Sequence, residues 1–279
     1  MTVYFLAAAL ILSAYIFLSP RFAQWAYKRF LFHTNRSIGD PKEFASLLER
    51  RGGRLFSFVN RRGNLLRCAL AGNPQNPVLM YHFGKDGDIE KRADIIELIV
   101  SAGYQVFIYE YSGYGKSDGK PSLRQMKEDA EDAFDFLVDH LNIVNCDVTL
   151  FGESMGGLNA THVLKERCAN RIILKSAFSS LAQAAWDKMP VMRIYPRCLF
   201  PDADNESILS TQKSVALIIH GAGDRMVPVK HLARLARACC GPHRTLLLPE
   251  SRHSFMTDGD RDKFITALTQ FRKYSGKYV

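Results

Sequence analysis

The sequence predicts an α/β fold: a mostly parallel, twisted sheet with helices on both faces. Three observations carry this expectation. Short unbroken apolar runs such as residues 78–83 and 171–175 read as strands buried on both faces. Between them lie longer segments with apolar residues three and four apart, which read as amphipathic helices. The two kinds alternate singly along the chain, as crossover connections in a parallel sheet require. The 279 residues, 47% of them apolar, suffice for a full core without disulfides or metal. The six cysteines (Cys68, Cys146, Cys168, Cys198, Cys239, Cys240) form no C-x-x-C pair and have no zinc spacing. They fit reduced thiols.

In chain order, residues 2–19 come first: eighteen residues with no charged side chain, closed by Pro20 and Arg21. This run predicts an N-terminal transmembrane helix at the short end of the usual length. A cleaved signal peptide fits less well, because no Lys or Arg precedes the run and its end is a poor cleavage site. Arg21, Lys28, Arg29 and Arg36 follow with no acid among them. The positive-inside rule then places the rest of the chain on the cytoplasmic side. Through residue 84, eleven Lys and Arg stand against three Asp and Glu, so this region holds nearly all of the net charge of +9. A charge so placed suits an anionic membrane surface, and no nucleic-acid-binding module accompanies it. The expected organisation is an anchor over 1–20, a basic juxtamembrane segment over 21–53 and a single α/β domain over 54–279.

Residues 54–60 and 64–70 flank Arg61-Arg62-Gly63 and predict a β-hairpin. Strands are expected at 78–83, 105–109, 147–151, 171–175, 215–220 and 245–248. Helices are expected at 89–101, 123–141, 155–168, 229–239 and 260–274. Residues 179–213 break the rhythm with Pro190, Pro196 and Pro201 among Trp186, Met189, Met192, Tyr195, Leu199 and Phe200. This excursion is expected to form a cap with an apolar lining; the alternative is a connection with its own small core.

Gly152-Glu153-Ser154-Met155-Gly156 lies between a predicted strand and a predicted helix. In that context G-x-S-x-G places a serine on a sharp, strained turn at a helix N-terminus. A serine hydroxyl needs a base, and the base needs a carboxylate to fix its tautomer. His253 follows the last predicted strand, and Asp224 follows the one before. Asp258, five residues from His253, is a weaker substitute acid. The other histidines (His33, His140, His162, His231 and His243 among them) show no comparable setting. An oxyanion would be held by the backbone N–H of Met155 and by one from the loop after residue 83, with Lys85 as candidate and Phe83 as alternative.

These segments resemble the α/β-hydrolase superfamily, and most closely its membrane-anchored, bud-emergence-type branch, related to depalmitoylating and prolyl-oligopeptidase-like hydrolases. The resemblance rests on Arg29-Phe30-Leu31-Phe32-His33, the loop at 81–88, Tyr109 to Ser122 and the elbow around Ser154. Ser176-Ala177-Phe178-Ser179-Ser180 and the Asp224 and His253 loops complete it. It implies an α/β-hydrolase fold and cleavage of an ester, thioester or amide through an acyl-serine, with no metal or cofactor. The expected substrate is a small-molecule, lipid or acylated compound. A non-catalytic binding protein that kept the fold is the rival. Two departures stand out. Phe83-Gly84-Lys85 replaces the family's His-Gly-Asn, with His82 one place early, and Lys175 stands where the family often has an acid. Lys85 and Lys175 are read as solvated, or as favouring an anionic substrate group.

Overall fold

The computed structural model describes residues 1–32, 34, 39–144, 147–167 and 169–274. His33, Arg36, Cys146 and Cys168 lie outside the described residues. Eight strands form one sheet: β1 (Arg54–Val59), β2 (Leu65–Ala71), β3 (Val78–His82), β4 (Gln105–Tyr109), β5 (Thr149–Glu153), β6 (Arg171–Lys175), β7 (Val215–Gly221) and β8 (His243–Leu248). Their order is β1-β2-β4-β3-β5-β6-β7-β8. The expected hairpin forms, with β1 and β2 paired antiparallel and β2 joined antiparallel to β4. From β4 to β8 every pairing is parallel.

The helices are α1 (Thr2–Phe17), α2 (Gln24–Leu31), α3 (Pro41–Arg50), α4 (Ala93–Ser101), α5 (Leu123–Leu141), α6 (Gly156–Glu166), α7 (Leu181–Lys188), α8 (Asn205–Leu209), α9 (Lys230–Ala238) and α10 (Asp258–Lys273). Strand order reverses after β3: the chain steps one way through α4 to β4 and the other way through α5 to β5. Right-handed crossovers therefore put α4 and α5 on opposite faces. Accordingly α10 packs on α4, and α6 packs on α5. The site expected for such a sheet lies where the chain turns both ways, outside the C-terminal ends of β3 and β5.

Local chemistry explains the boundaries. α5 starts because Ser122 accepts a hydrogen bond from the Gln125 N–H, and it ends because Asn142 adopts a left-handed conformation. Its face Met126, Ala130, Ala133, Phe134 and Leu137 is buried, as 3–4 spacing dictates. β5 begins two residues later than expected and runs on to Glu153, so the turn at Ser154 follows the strand directly. α3 has no counterpart in the sequence reading. Asp40 caps it, Pro41 opens it, and Phe44, Leu47 and Leu48 join the main core. Part of the basic segment is therefore packed into the core of the sheet domain.

The apolar run at the N-terminus gives α1, whose 16 residues span about 24 Å at 1.5 Å each. A hydrocarbon core is about 30 Å thick. Among the described residues no helix is long and apolar enough to cross a membrane. Phe5, Leu10, Ile11 and Phe17 of α1 are exposed. The end of α1 docks on the excursion: Tyr15 stacks on Tyr195 at 4.9 Å, and its hydroxyl donates to the Ile194 carbonyl. The excursion forms a second small core of Ala182, Met192, Tyr195 and Phe200, completed by Tyr15, Tyr27 and Trp186. The excursion thus has a small core of its own, with the N-terminal segment built into it.

Candidate active site

Ser154 has φ +54°, a left-handed conformation that costs a non-glycine residue about 1–2 kcal/mol. Its N–H donates to the Lys175 carbonyl at 2.9 Å, which fixes the turn against β6. Small neighbours make the turn possible. A Cβ on Gly156 would fall 2.0 Å from the His82 carbonyl oxygen, and one on Gly152 would fall 2.6 Å from the Gly157 Cα.

The three residues named from sequence come together. Ser154 Oγ lies 3.0 Å from His253 Nε2, and His253 Nδ1 lies 2.7 Å from Asp224 Oδ2. A carboxylate only accepts, so Nδ1 carries the proton and Nε2 offers its lone pair to the serine hydroxyl. Asp224, not Asp258, receives the imidazole; Asp258 sits in the first turn of α10. Asp224 Oδ1 accepts from the Met226 and Val227 N–H groups, each at 2.8 Å.

His220 is a partner that sequence reading passed over. Its ring is fully buried, with Nε2 2.9 Å from the Val227 carbonyl and 3.5 Å from Asp224 Oδ2. Burial alone would raise the Asp224 carboxyl. Hydrogen bonds from His220, His253 and the Val227 N–H outweigh it and hold the group well below the usual carboxylate range. Its position four residues before Asp224, at the end of a buried strand, was the available signal.

Two sequence readings need correction. Lys175 is not solvated: it is 4% exposed, and its Nζ lies 2.7 Å from Glu153 Oε1. Nor is it turned toward a substrate anion, since its strand faces it to the Glu153 carboxylate beside Ser154. Lys85 Nζ donates to the Phe30 carbonyl at 3.0 Å, which ties α2 to the loop after β3. His231 also has a triad-like setting, with Nδ1 3.1 Å from Ser179 Oγ and Nε2 3.2 Å from Asp187 Oδ2. The Ser179 N–H donates to Nδ1 as well, and both Ser179 and His231 are fully buried. This cluster therefore staples α7 to α9 and presents no nucleophile to solvent.

The loop after β3 approaches Ser154 at Gly84, where a Cβ would stand 3.4 Å from Ser154 Cβ and 3.9 Å from its Oγ. The loop's carbonyls are pinned away: Tyr111 donates to Phe83 O at 2.7 Å and Tyr114 to Lys85 O at 3.0 Å. Met155 heads α6 directly after Ser154. His82 points elsewhere, buried with Nδ1 2.8 Å from the Tyr109 hydroxyl.

Burial pushes His82 down to about 3 and His231 down to about 4. In the unfolded chain each ring takes up its proton near 6.5. Stability from keeping them neutral is full above about pH 6.5 and is lost as pH falls toward 4, at about 1.4 kcal/mol per pH unit for each ring. Urea unfolding between pH 7.5 and 4.5 is expected to show this slope, made shallower by His231→Gln. A flat profile over that range would contradict the assignment.

Residues 72–216 match the family model described as serine aminopeptidase, S33. A Mycobacterium tuberculosis protein of uncharacterised function is 29% identical over 178 residues, which is 64% of this chain and 63% of that one. The chain thus spans less than two thirds of that relative's length. The Schizosaccharomyces pombe protein bem46 is 27% identical over 217 residues, 74% of this chain and 70% of its own. The Pyrococcus furiosus esterase Pf2001 superposes with a TM-score of 0.67 at 17% identity, over 87% of this chain and 97% of its own, which shows a shared fold. The chain belongs to the serine aminopeptidase S33 family of α/β-hydrolase-fold proteins, in the branch that includes bem46.

Proposed function

We propose that this protein is a membrane-tethered serine hydrolase that cleaves carboxylic esters or thioesters through an acyl-serine intermediate. One observation carries the reading: a strained serine with its hydroxyl 3.0 Å from an imidazole whose other nitrogen lies 2.7 Å from a buried carboxylate. Ser154 Oγ attacks the acyl carbonyl while His253 Nε2 takes its proton. The alkoxide or thiolate then leaves with that proton, and water attacks the acyl-serine with His253 again as base. Asp224 holds the ring's tautomer and stabilises its cation. The Met155 N–H at the head of α6 and the Lys85 N–H from the pinned loop are the proposed oxyanion donors.

The exposed apolar side chains of α1 and the basic residues after it support a tether. A helix of that length either draws the bilayer thin or lies in its interface. The basic flank favours the cytoplasmic side. The docking of Tyr15 on Tyr195 sets the excursion beside the tether, which suits acyl chains held in a membrane.

The test is hydrolysis of acyl esters and acyl thioesters of graded chain length, offered in solution and in phosphatidylcholine–phosphatidylserine vesicles. Turnover is expected to be higher for long-chain substrates in vesicles, and removal of residues 1–18 is expected to abolish that preference. The family's description keeps an amide substrate as the second reading, so an aminoacyl anilide belongs in the same panel. Its hydrolysis in preference to every ester would replace the first reading.

A further inference from the structure

We infer that Glu153 is a positioning residue which, through Lys175 and Arg92, holds the base loop and the oxyanion loop in register with Ser154. This rests on the serine-hydrolase reading above. Glu153 ends β5, immediately before the nucleophile, and pairs in register with Lys175 at the end of β6. Both are buried. On one side, Lys175 Nζ binds Glu153 Oε1 at 2.7 Å and reaches the carbonyl oxygen of His253 at 3.4 Å. The backbone carbonyl of the same lysine receives the Ser154 N–H. On the other side, Arg92 Nη1 lies 3.8 Å from Glu153 Oε2, and Tyr81 donates to that oxygen. Arg92 in turn donates to the Asp86 carbonyl, and its guanidinium lies 5.2 Å over the Phe83 ring. Phe83 and Asp86 belong to the loop proposed to hold the oxyanion.

One carboxylate under the nucleophile therefore touches two cations, and each cation reaches a different loop. A buried ion pair gains little net stability against apolar residues of the same size, because desolvation offsets the attraction. The neighbouring positions Phe151, Ile173 and Leu174 are apolar and fully buried, so packing alone does not call for charge here. What the pair supplies is a fixed distance between Ser154, the His253 loop and the loop at residues 83–88. Misplacing a reacting group by about 1 Å costs on the order of 100-fold in rate.

The experiment compares wild type, Lys175→Met and Glu153→Gln/Lys175→Met. The double variant removes both charges and so leaves no unpaired lysine or glutamate of this pair. Urea melts establish that each variant folds. Two readouts follow: the rate of Ser154 labelling by a fluorophosphonate beside kcat and KM for a short-chain ester, and the low-field NMR resonance of the His253 ring proton shared with Asp224. The expected result is a fall of about 10- to 100-fold in kcat and labelling rate for both variants. KM should stay within about threefold, and the ring-proton resonance should be broadened or lost in the folded double variant. A folded double variant with wild-type labelling rate and an unchanged ring proton would overturn the inference. If the wild type itself fails to label, the hydrolase reading fails instead. The ring proton, which needs no substrate, then decides the positioning role alone.

Discussion

Asp224→Asn is expected to lower kcat for ester hydrolysis by about 10³- to 10⁴-fold while leaving the fold intact. The reason lies in proton direction. Asp224 Oδ2 accepts from His253 Nδ1 at 2.7 Å, and Oδ1 accepts from two backbone N–H groups. An asparagine can keep its carbonyl toward those two amides only by turning its NH₂ toward the imidazole. The ring must then carry its proton on Nε2, which blocks acceptance from Ser154. Ser154→Ala removes the nucleophile and is expected to leave only background hydrolysis. Adding His253→Ala to Ser154→Ala should cost almost nothing more, because the residues act as one unit. Ser154→Gly should be equally inactive but more stable than Ser154→Ala by about 1 kcal/mol, since glycine relieves the left-handed strain. Initial rates, beside thermal melts of the same preparations, check all four outcomes.

Gly156→Ala is expected to be strongly damaging although it adds a single methyl. The new Cβ would stand 2.0 Å from the His82 carbonyl oxygen and 2.6 Å from the Phe83 carbonyl oxygen. Both are backbone atoms at the end of a central strand, so no side-chain rotation relieves the clash. α6 must lift from β3, and the nucleophile turn moves with it. The expected cost is about 3–5 kcal/mol, with loss of phosphonate labelling in whatever fraction stays folded. Gly259→Ala is the control. It lies in the first turn of α10, where a Cβ meets nothing within 4 Å. It should be neutral or stabilising by up to about 1 kcal/mol. Equal melting temperatures for the two variants would show that the approach of α6 to β3 is looser than these distances.

Much of this was legible in the sequence, for reasons specific to each feature. The parallel strands β3 to β7 announced themselves because burial on both faces leaves no polar alternation to confuse. Ser154, Asp224 and His253 were legible because each sits in a turn directly after a strand, where the chain order Ser, Asp, His has few other uses. α3 was not legible although Asp40-Pro41 is a sound helix start, because a ten-residue helix with three buried apolar positions gives only a short periodic signal. Lys175 was misread because its partner lies across the sheet, and spacing along the chain does not encode it. The Ser179–His231–Asp187 staple shares that cause, whereas His220 lies only four and seven residues from its partners Asp224 and Val227. The length of the apolar run overstated α1, because the chain turns at Leu18–Pro20 to seat the following segment on the excursion.

The central claim is that Ser154 is an activated nucleophile. Its most direct test is to treat the full-length protein in membranes with a fluorophosphonate probe, digest it and locate the adduct by mass spectrometry. The account predicts a single adduct on Ser154, absent in Ser154→Ala and strongly reduced in His253→Ala. A well-folded wild type that carries no adduct on Ser154, or carries one equally in the His253→Ala variant, would contradict it.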